Sequence, residues 1–341
     1  MQNKRIVFTG AGQIEIQHDD INLAPQHDFE VIVKTHYSLI SAGTELACLS
    51  GSENWFKFPS TPGYTSVGEV VAAGQAITDV AVGDVVYVWG GHSAYSRIDL
   101  SQPSALCLKI PDGISENLVP FARMATIAMT SLRVSNIELG DYVAVVGMGL
   151  VGNLAVQLAR LQGAFAIGVD LSEKRLARAA ECGASSTLQM SGPATATRLR
   201  ALTEGRGVST LIEATGIPSA VPDILPFVSK YGEVVFLGSP RGQFDTNLTS
   251  VLNYVHLDPL GALTFKGAHE WRYPVHTDPF LKHSIERNSQ IVLNLIKSGS
   301  LKIGPVLTHI LRPEEAVKAY QGLKEQKDDY VGVVFDWLTQ N

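Results

Sequence analysis

The run DYVAVVGMGLVGNLAVQLARLQG, residues 141–163, constrains the fold of this chain more than any other stretch. It begins with a short continuous apolar segment, the pattern of a strand buried on both faces. Gly147, Gly149 and Gly152 follow in the spacing G-x-G-x-x-G. Apolar residues at helical spacing come next, and a glycine closes them. FAIGVD then reads as a second buried strand, and SEKRLARAAECG as a second helix, opened by Ser172 and closed by Gly183. STLIEATG and GEVVFLG continue the series. Strand and helix in alternation over this length mean an α/β doubly wound parallel sheet.

The glycine spacing carries weight because it lies after a strand and at the opening of a helix. Gly147 permits a tight turn, Gly149 lets a pyrophosphate approach the backbone, and Gly152 lets the helix pack close to the sheet. The helix start, at Leu150 and Val151, offers free N–H groups and the positive end of a dipole to that anion. Asp170 ends the next strand about 20 residues on, where a carboxylate accepts hydrogen bonds from a ribose. It favours NAD over NADP because it repels a 2′-phosphate, although Arg175 nearby can accommodate one. The bland alternative is that the glycines only shape a turn and Asp170 only caps SEKR.

The flanking regions differ. Before residue 124, short Val-rich segments such as EVIVKTHYSLI, GEVVAAG and GDVVYVWG are bounded by Gly, Asp and Pro, and suggest a small barrel or sandwich. Near the end, SIERNSQIVLNLIKSGSLK and RPEEAVKAYQGLKEQ read as amphipathic helices and YVGVVFDW as a strand. The 341 residues suffice for two domains, and the formal net charge of −6 argues against a nucleic-acid surface. No apolar run approaches the roughly 20 residues of a membrane helix, and the first residues lack the apolar block of a signal peptide. Cys48, Cys107 and Cys182 are odd in number and widely spaced, which suits free thiols in a reducing cytoplasm. The expected partner is a small molecule.

Several segments together resemble the medium-chain dehydrogenase/reductase superfamily over nearly the whole chain. SLISAGTELACLSG stands where that family has its CGTD or CRSD segment, and PGYTSVGEVVAAG where it has GHE. AVGDVVYV, the glycine-rich run, IEATG, GEVVFLG and FKGAH match further family segments. The resemblance implies a GroES-like catalytic domain at 1–123 and 270–341, a Rossmann NAD-binding domain at 124–269, and a homodimer. SAGTE, PGYTSVG and VGVVFDW look like a branch that includes the zinc-lacking dehydrogenase of the bacteriochlorophyllide hydroxyethyl group.

The departures concern metal. The family's first zinc ligand falls on Ala42, the second on Tyr64 with Thr65 after it, and the third on Ala122 or Arg123. None is a good zinc donor. The four-cysteine structural lobe is also absent, leaving only Cys107 in that region. A rearranged site through His36, His92 or His269 is the alternative. Without zinc, the chemistry needs another proton acceptor and another holder of oxygen charge. The resemblance puts Tyr64 at the reacting oxygen as acid–base and Arg123 across the same pocket. Thr44 falls where the family has a proton-relaying hydroxyl, and Ala47 replaces the relay histidine, so the proton exit is expected through Glu45 or His36. The structural alternatives are a Tyr64 that fills the zinc's volume, a Thr44 and Glu45 that cap and pair within the barrel, and an Arg123 that forms a salt bridge or binds an anionic substrate. The resemblance further places Thr126, Ala214, Thr215, Leu237, Gly238, Ser239, Ala268 and His269 along the cofactor, with Trp271 and Arg272 toward the substrate.

The function expected is zinc-independent, NAD-dependent oxidation of a secondary alcohol: a sugar, a polyol or a hydroxyalkyl group. An enoyl or quinone reductase using NADPH and a non-catalytic NAD-binding protein are the alternatives.

Overall fold

The computed structural model describes residues 1–192 and 194–339. The chain divides into two compact units: Met1–Arg123 with Pro274–Gly299 and Leu307–Asn341, and Met124–Tyr273 with Ser300–Val306.

The second unit is built on a six-stranded parallel sheet. Across the sheet its strands run Ser186–Gln189, Phe165–Asp170, Tyr142–Val146, Val208–Glu213, Val228–Phe236 and Thr264–Gly267. In chain order this is 3-2-1-4-5-6, so the winding reverses between Tyr142–Val146 and Val208–Glu213. A crevice opens at the carboxyl ends of strands at such a reversal. The central strands Tyr142–Val146 and Phe165–Asp170 are nearly continuous apolar runs, as expected of strands buried on both faces. Val146, Ile167, Val169, Leu211, Val234 and Leu263 are among those that meet in the core. The helix Leu150–Leu161 follows the glycine motif, and the helix Glu173–Cys182 is capped by Ser172, whose hydroxyl accepts from the Arg175 N–H. Gly183 ends that helix in the left-handed conformation at φ 98°. Gln157 explains why Ser300–Val306 belongs to this unit: its amide accepts from the Lys302 N–H at 2.8 Å and donates to the Lys302 carbonyl at 3.1 Å.

The first unit holds a seven-stranded sheet. Its main path runs Leu307–Leu311, Gly332–Asp336, Glu30–Leu39, Ser66–Ala73, Val85–Val88 and Cys107–Lys109, and Tyr95–Asp99 pairs with Glu30–Leu39 off that path. Every pairing is antiparallel except the first. Alternate valines of three strands, Val31 and Val33, Val70, Val86 and Val88, bury one core. A second core gathers Ile6 and Phe8 of the hairpin Gln2–Gly10/Gln13–Asp20 with Ile40, Tyr320, Phe335 and Trp337. Two helices escape the periodicity reading. Ala42–Leu49 is only two turns long, and Phe121–Val134 is mostly buried although Arg123, Thr126, Thr130, Ser131 and Arg133 lie among its apolar residues.

Candidate functional site

The glycine motif forms a cradle at the carboxyl end of the strand Tyr142–Val146. Gly147 turns the chain at φ +96°, and Gly149 stands at the N-cap of the helix Leu150–Leu161. A Cβ on Gly152 would lie 1.8 Å from the Gly147 carbonyl oxygen, so the close crossing of loop and helix admits no side chain. A Cβ on Gly149 would meet no protein atom within 4 Å. The space over Gly149 is therefore open, with the helix N-terminus facing it, and suits a pyrophosphate.

Asp170 is 8% exposed and ties this loop to the second strand. Its Oδ2 accepts from the Met148 N–H at 2.6 Å and its Oδ1 from the Ser172 N–H at 2.9 Å. Two acceptor positions of the carboxylate are thus engaged, and two remain for hydroxyl donors. The Arg175 guanidinium lies 3.8 Å from Asp170.

The loops after the fourth and fifth strands join the cradle. A Cβ on Gly147 would lie 2.7 Å from Thr215 Cγ2, one on Gly216 would lie 2.4 Å from the Ser239 carbonyl oxygen, and one on Gly238 would lie 2.2 Å from the Gly216 nitrogen. Ala214 donates its N–H to the Val146 carbonyl. Leu237 and Gly238 both donate to the Glu213 carbonyl at 2.8 Å. Gly147, Ala214, Thr215, Leu237, Gly238 and Ser239 are thus brought together. Glu213, which sequence reasoning passed over, organises them. Its buried carboxylate accepts from the Thr215 N–H at 2.7 Å, from the Thr215 hydroxyl and from the Gly216 N–H. The signal available was an acid ending an apolar strand just before Ala-Thr-Gly. Thr126 is buried in the helix Phe121–Val134. Ala268 is buried and donates to the Phe236 carbonyl, while His269 and Trp271 are exposed beyond the sixth strand.

In the first unit, Tyr64 and Arg123 come together. The Arg123 guanidinium carbon lies 5.4 Å from the Tyr64 ring centroid and 3.5 Å from that of Trp89, a stacking partner not foreseen from sequence. Arg123 is 3% exposed, so its charge is held against aromatic faces rather than water. The Tyr64 hydroxyl donates to Ser41 Oγ, a second residue that sequence reasoning missed. Thr65 turns away and donates its hydroxyl to the Pro120 carbonyl at 2.8 Å.

Glu45, one of the two residues expected on the proton exit, lies in a buried hydrogen-bonded network. Glu45 is 2% exposed. One carboxylate oxygen accepts from the Ser41 N–H at 2.7 Å, and the other pairs with His92 Nε2 at 3.0 Å and accepts from the Tyr320 hydroxyl at 2.5 Å. His92 Nδ1 lies 2.8 Å from Ser38 Oγ, which also accepts from Trp337 Nε1 at 2.9 Å. With the imidazole proton on Nε2, the directions close: Trp337 donates to Ser38, Ser38 to His92, His92 to Glu45. Burial, and then the Glu45 carboxylate, holds the Tyr320 phenol well above the usual tyrosine range, so it remains a donor. Glu45 is thus a buried hub. His36 pairs instead with Glu116 at 2.6 Å. Thr44 is half-buried in the first turn of the helix Ala42–Leu49. Among the described residues, no group of three or more His, Cys, Asp or Glu is gathered so as to hold a metal ion, and no helix is long and apolar enough to cross a membrane.

Comparison with known proteins accords with both units. Residues 27–116 match the family described as the alcohol dehydrogenase GroES-like domain, and residues 151–276 match the one described as zinc-binding dehydrogenase. The chain is 33% identical to the D-guloside 3-dehydrogenase of Escherichia coli over 172 residues, 50% of this chain and 49% of the relative. It is 26% identical to the NAD-dependent alcohol dehydrogenase of Sulfolobus acidocaldarius over 333 residues, 87% of this chain and 90% of the relative. The crystal structure of galactitol-1-phosphate dehydrogenase from Escherichia coli matches with a TM-score of 0.81 at 18% identity, covering 98% of this chain and 99% of that one. At that identity the likeness speaks to fold: a GroES-like domain and a Rossmann-type parallel sheet.

Proposed function

Because the chain belongs to the medium-chain dehydrogenase/reductase superfamily, we propose that it transfers hydride between a secondary alcohol and a nicotinamide dinucleotide, NAD in preference to NADP, with a phenol in place of zinc at the reacting oxygen. The nicotinamide, when bound, supplies the hydride acceptor or donor. The glycine cradle and the helix N-terminus hold the pyrophosphate, and Asp170 takes the ribose hydroxyls. Names such as D-guloside 3-dehydrogenase and NAD-dependent alcohol dehydrogenase among the relatives favour a sugar or polyol hydroxyl as the substrate.

The zinc-free part goes against the description of one matching family, and rests on chemistry of the donors. Where that family's ligands fall, this chain has Ala42, Tyr64 and Ala122 or Arg123. An alanine offers no donor and a buried guanidinium repels a cation. These residues do not fit a zinc ion. They fit an acid–base phenol beside a fixed positive charge, which favours the ionised form of the phenol. The single observation that carries the reading is the Arg123 guanidinium seated over Tyr64. In oxidation the alcohol proton passes to the Tyr64 oxygen as hydride leaves carbon; in reduction Tyr64 returns it.

The test is Tyr64→Phe. NADH affinity, read by fluorescence titration, is expected to survive while turnover of polyols and sugars falls about 10²-fold, the scale of general acid–base catalysis. Unchanged turnover removes Tyr64 from the reaction. Tighter binding of NADPH than NADH favours the reductase alternative instead.

A further inference from the structure

We infer that Ser41 is a positioning residue that works through Tyr64, a role that rests on the acid–base reading of that phenol. Ser41 stands at the N-cap of the helix Ala42–Leu49, where a serine ordinarily gives its oxygen to a backbone N–H of the first turn. Here it makes no such cap bond, at φ −85° and ψ 84°. Its oxygen accepts from the Tyr64 hydroxyl. Its own N–H is held by Glu45, so the backbone is fixed while the hydroxyl is turned to the phenol.

Both partners stand on one buried base. Glu45, which anchors the Ser41 backbone, is held by His92 and Tyr320. The same His92 ring lies under the residue before Tyr64: a Cβ on Gly63 would come within 2.8 Å of its Cδ2 and Nε2. Gly63 is at φ +90°, so the close approach and the turn both call for glycine. The charged and titratable groups around the pair are therefore Arg123 over the Tyr64 ring, Glu45 and Tyr320 behind Ser41, and His92 beneath Gly63.

A hydroxyl can serve either protonation state of its neighbour. While Tyr64 is protonated, Ser41 accepts its hydrogen bond. When Tyr64 has lost its proton, the Ser41 hydroxyl rotates and donates to the phenolate, stabilising the charged form. During oxidation the alcohol proton moves to the Tyr64 oxygen, and Ser41 neither gains nor loses a proton.

The experiment is Ser41→Ala, read by the ultraviolet tyrosinate titration of the full chain without cofactor, with Tyr64→Phe and the double variant subtracted to isolate Tyr64. The Tyr64 midpoint is expected to rise by about one pH unit, which is a tenfold smaller phenolate fraction below the midpoint. The pH profile of turnover should shift by the same amount while KM and NADH affinity stay as they are. Ser41→Thr keeps the hydroxyl and should return the midpoint. An alanine variant with the parent midpoint, or a threonine variant that titrates like alanine, overturns the role. If Tyr64→Phe leaves turnover intact, it is the acid–base reading that fails, and the midpoints still report on Ser41.

Discussion

Replacing Glu45 by alanine removes the hub of the buried network, and its cost can be worked from the bonds. Three donors lose their acceptor at once: the Ser41 N–H, His92 Nε2 and the Tyr320 hydroxyl. His92 is 0% exposed and Tyr320 1% exposed, so neither can turn to bulk water. An orphaned buried donor costs about 1–3 kcal/mol. The three are not additive, because a water can enter the volume the carboxylate leaves. Breaking a buried pair costs about 3–5 kcal/mol, and that is the expected loss. For a cooperative unit of this size each kcal/mol moves Tm by roughly 2–4 °C, so the drop should be about 6–20 °C. Differential scanning calorimetry measures it, and if the two units melt separately only the transition of the first should move. Glu45→Gln is the control. It keeps an acceptor for the Ser41 N–H, and a reversed His92 tautomer donating to Ser38 can accept from its amide, so its loss should be about 1–2 kcal/mol. An alanine variant within about 0.5 kcal/mol of the parent, the range of ordinary surface substitutions, would refute the hub.

Other expectations separate the roles of neighbouring residues. Gly152→Ala must displace the Gly147 carbonyl and should lower both Tm and dinucleotide affinity, whereas Gly149→Ala meets no protein atom and should lower affinity alone; parallel calorimetry and NADH titration check the pair. Asp170→Ala should narrow the preference for NADH over NADPH, and an unchanged ratio of dissociation constants would detach Asp170 from the ribose. Glu30 is pushed up by burial, but its hydrogen bonds from Arg97 and the Gln26 N–H outweigh this and hold it below the usual carboxylate range. Its lowered value means a stabilisation present above the unfolded pKa of about 4.3 and lost as pH falls through the folded value. Glu30→Gln should therefore flatten the acid limb of a Tm-versus-pH curve, and a parallel curve would contradict this. Burial, and then Asp84, pushes the Cys107 thiol up to about 12. Burial is also the first cause that puts Cys182 at about 11. Both should resist alkylation near neutral pH, and rapid labelling by mass spectrometry would show a thiolate where none is expected.

The sequence was most readable where local chemistry and tertiary role coincide. The strand at Tyr142–Val146, the Gly147–Gly152 turn and the Ser172 and Gly183 caps each depend on residues within a few positions, and the structure has them there. In the helix Phe121–Val134 the polar Arg123, Thr126, Thr130 and Ser131 are buried by tertiary packing, which their residue types do not announce. Ser41 and Trp89 were missed for another reason. Their meaning comes from Tyr64 and Arg123, 23 residues or more away in the chain, and no local pattern marks a hydroxyl diverted from its cap. Glu45 also takes its setting from distant residues: its place beside Thr44 does not reveal that His92 and Tyr320 meet its carboxylate, where with the Ser41 N–H three donors converge.

The most direct measurement is transition-metal content alongside turnover on the same purified sample, before and after exhaustive chelation. Alcohol oxidation with NAD is expected to persist at far below one metal ion per chain and to collapse in Tyr64→Phe. Turnover that tracks one bound zinc per chain, and returns only when zinc is restored, would contradict it.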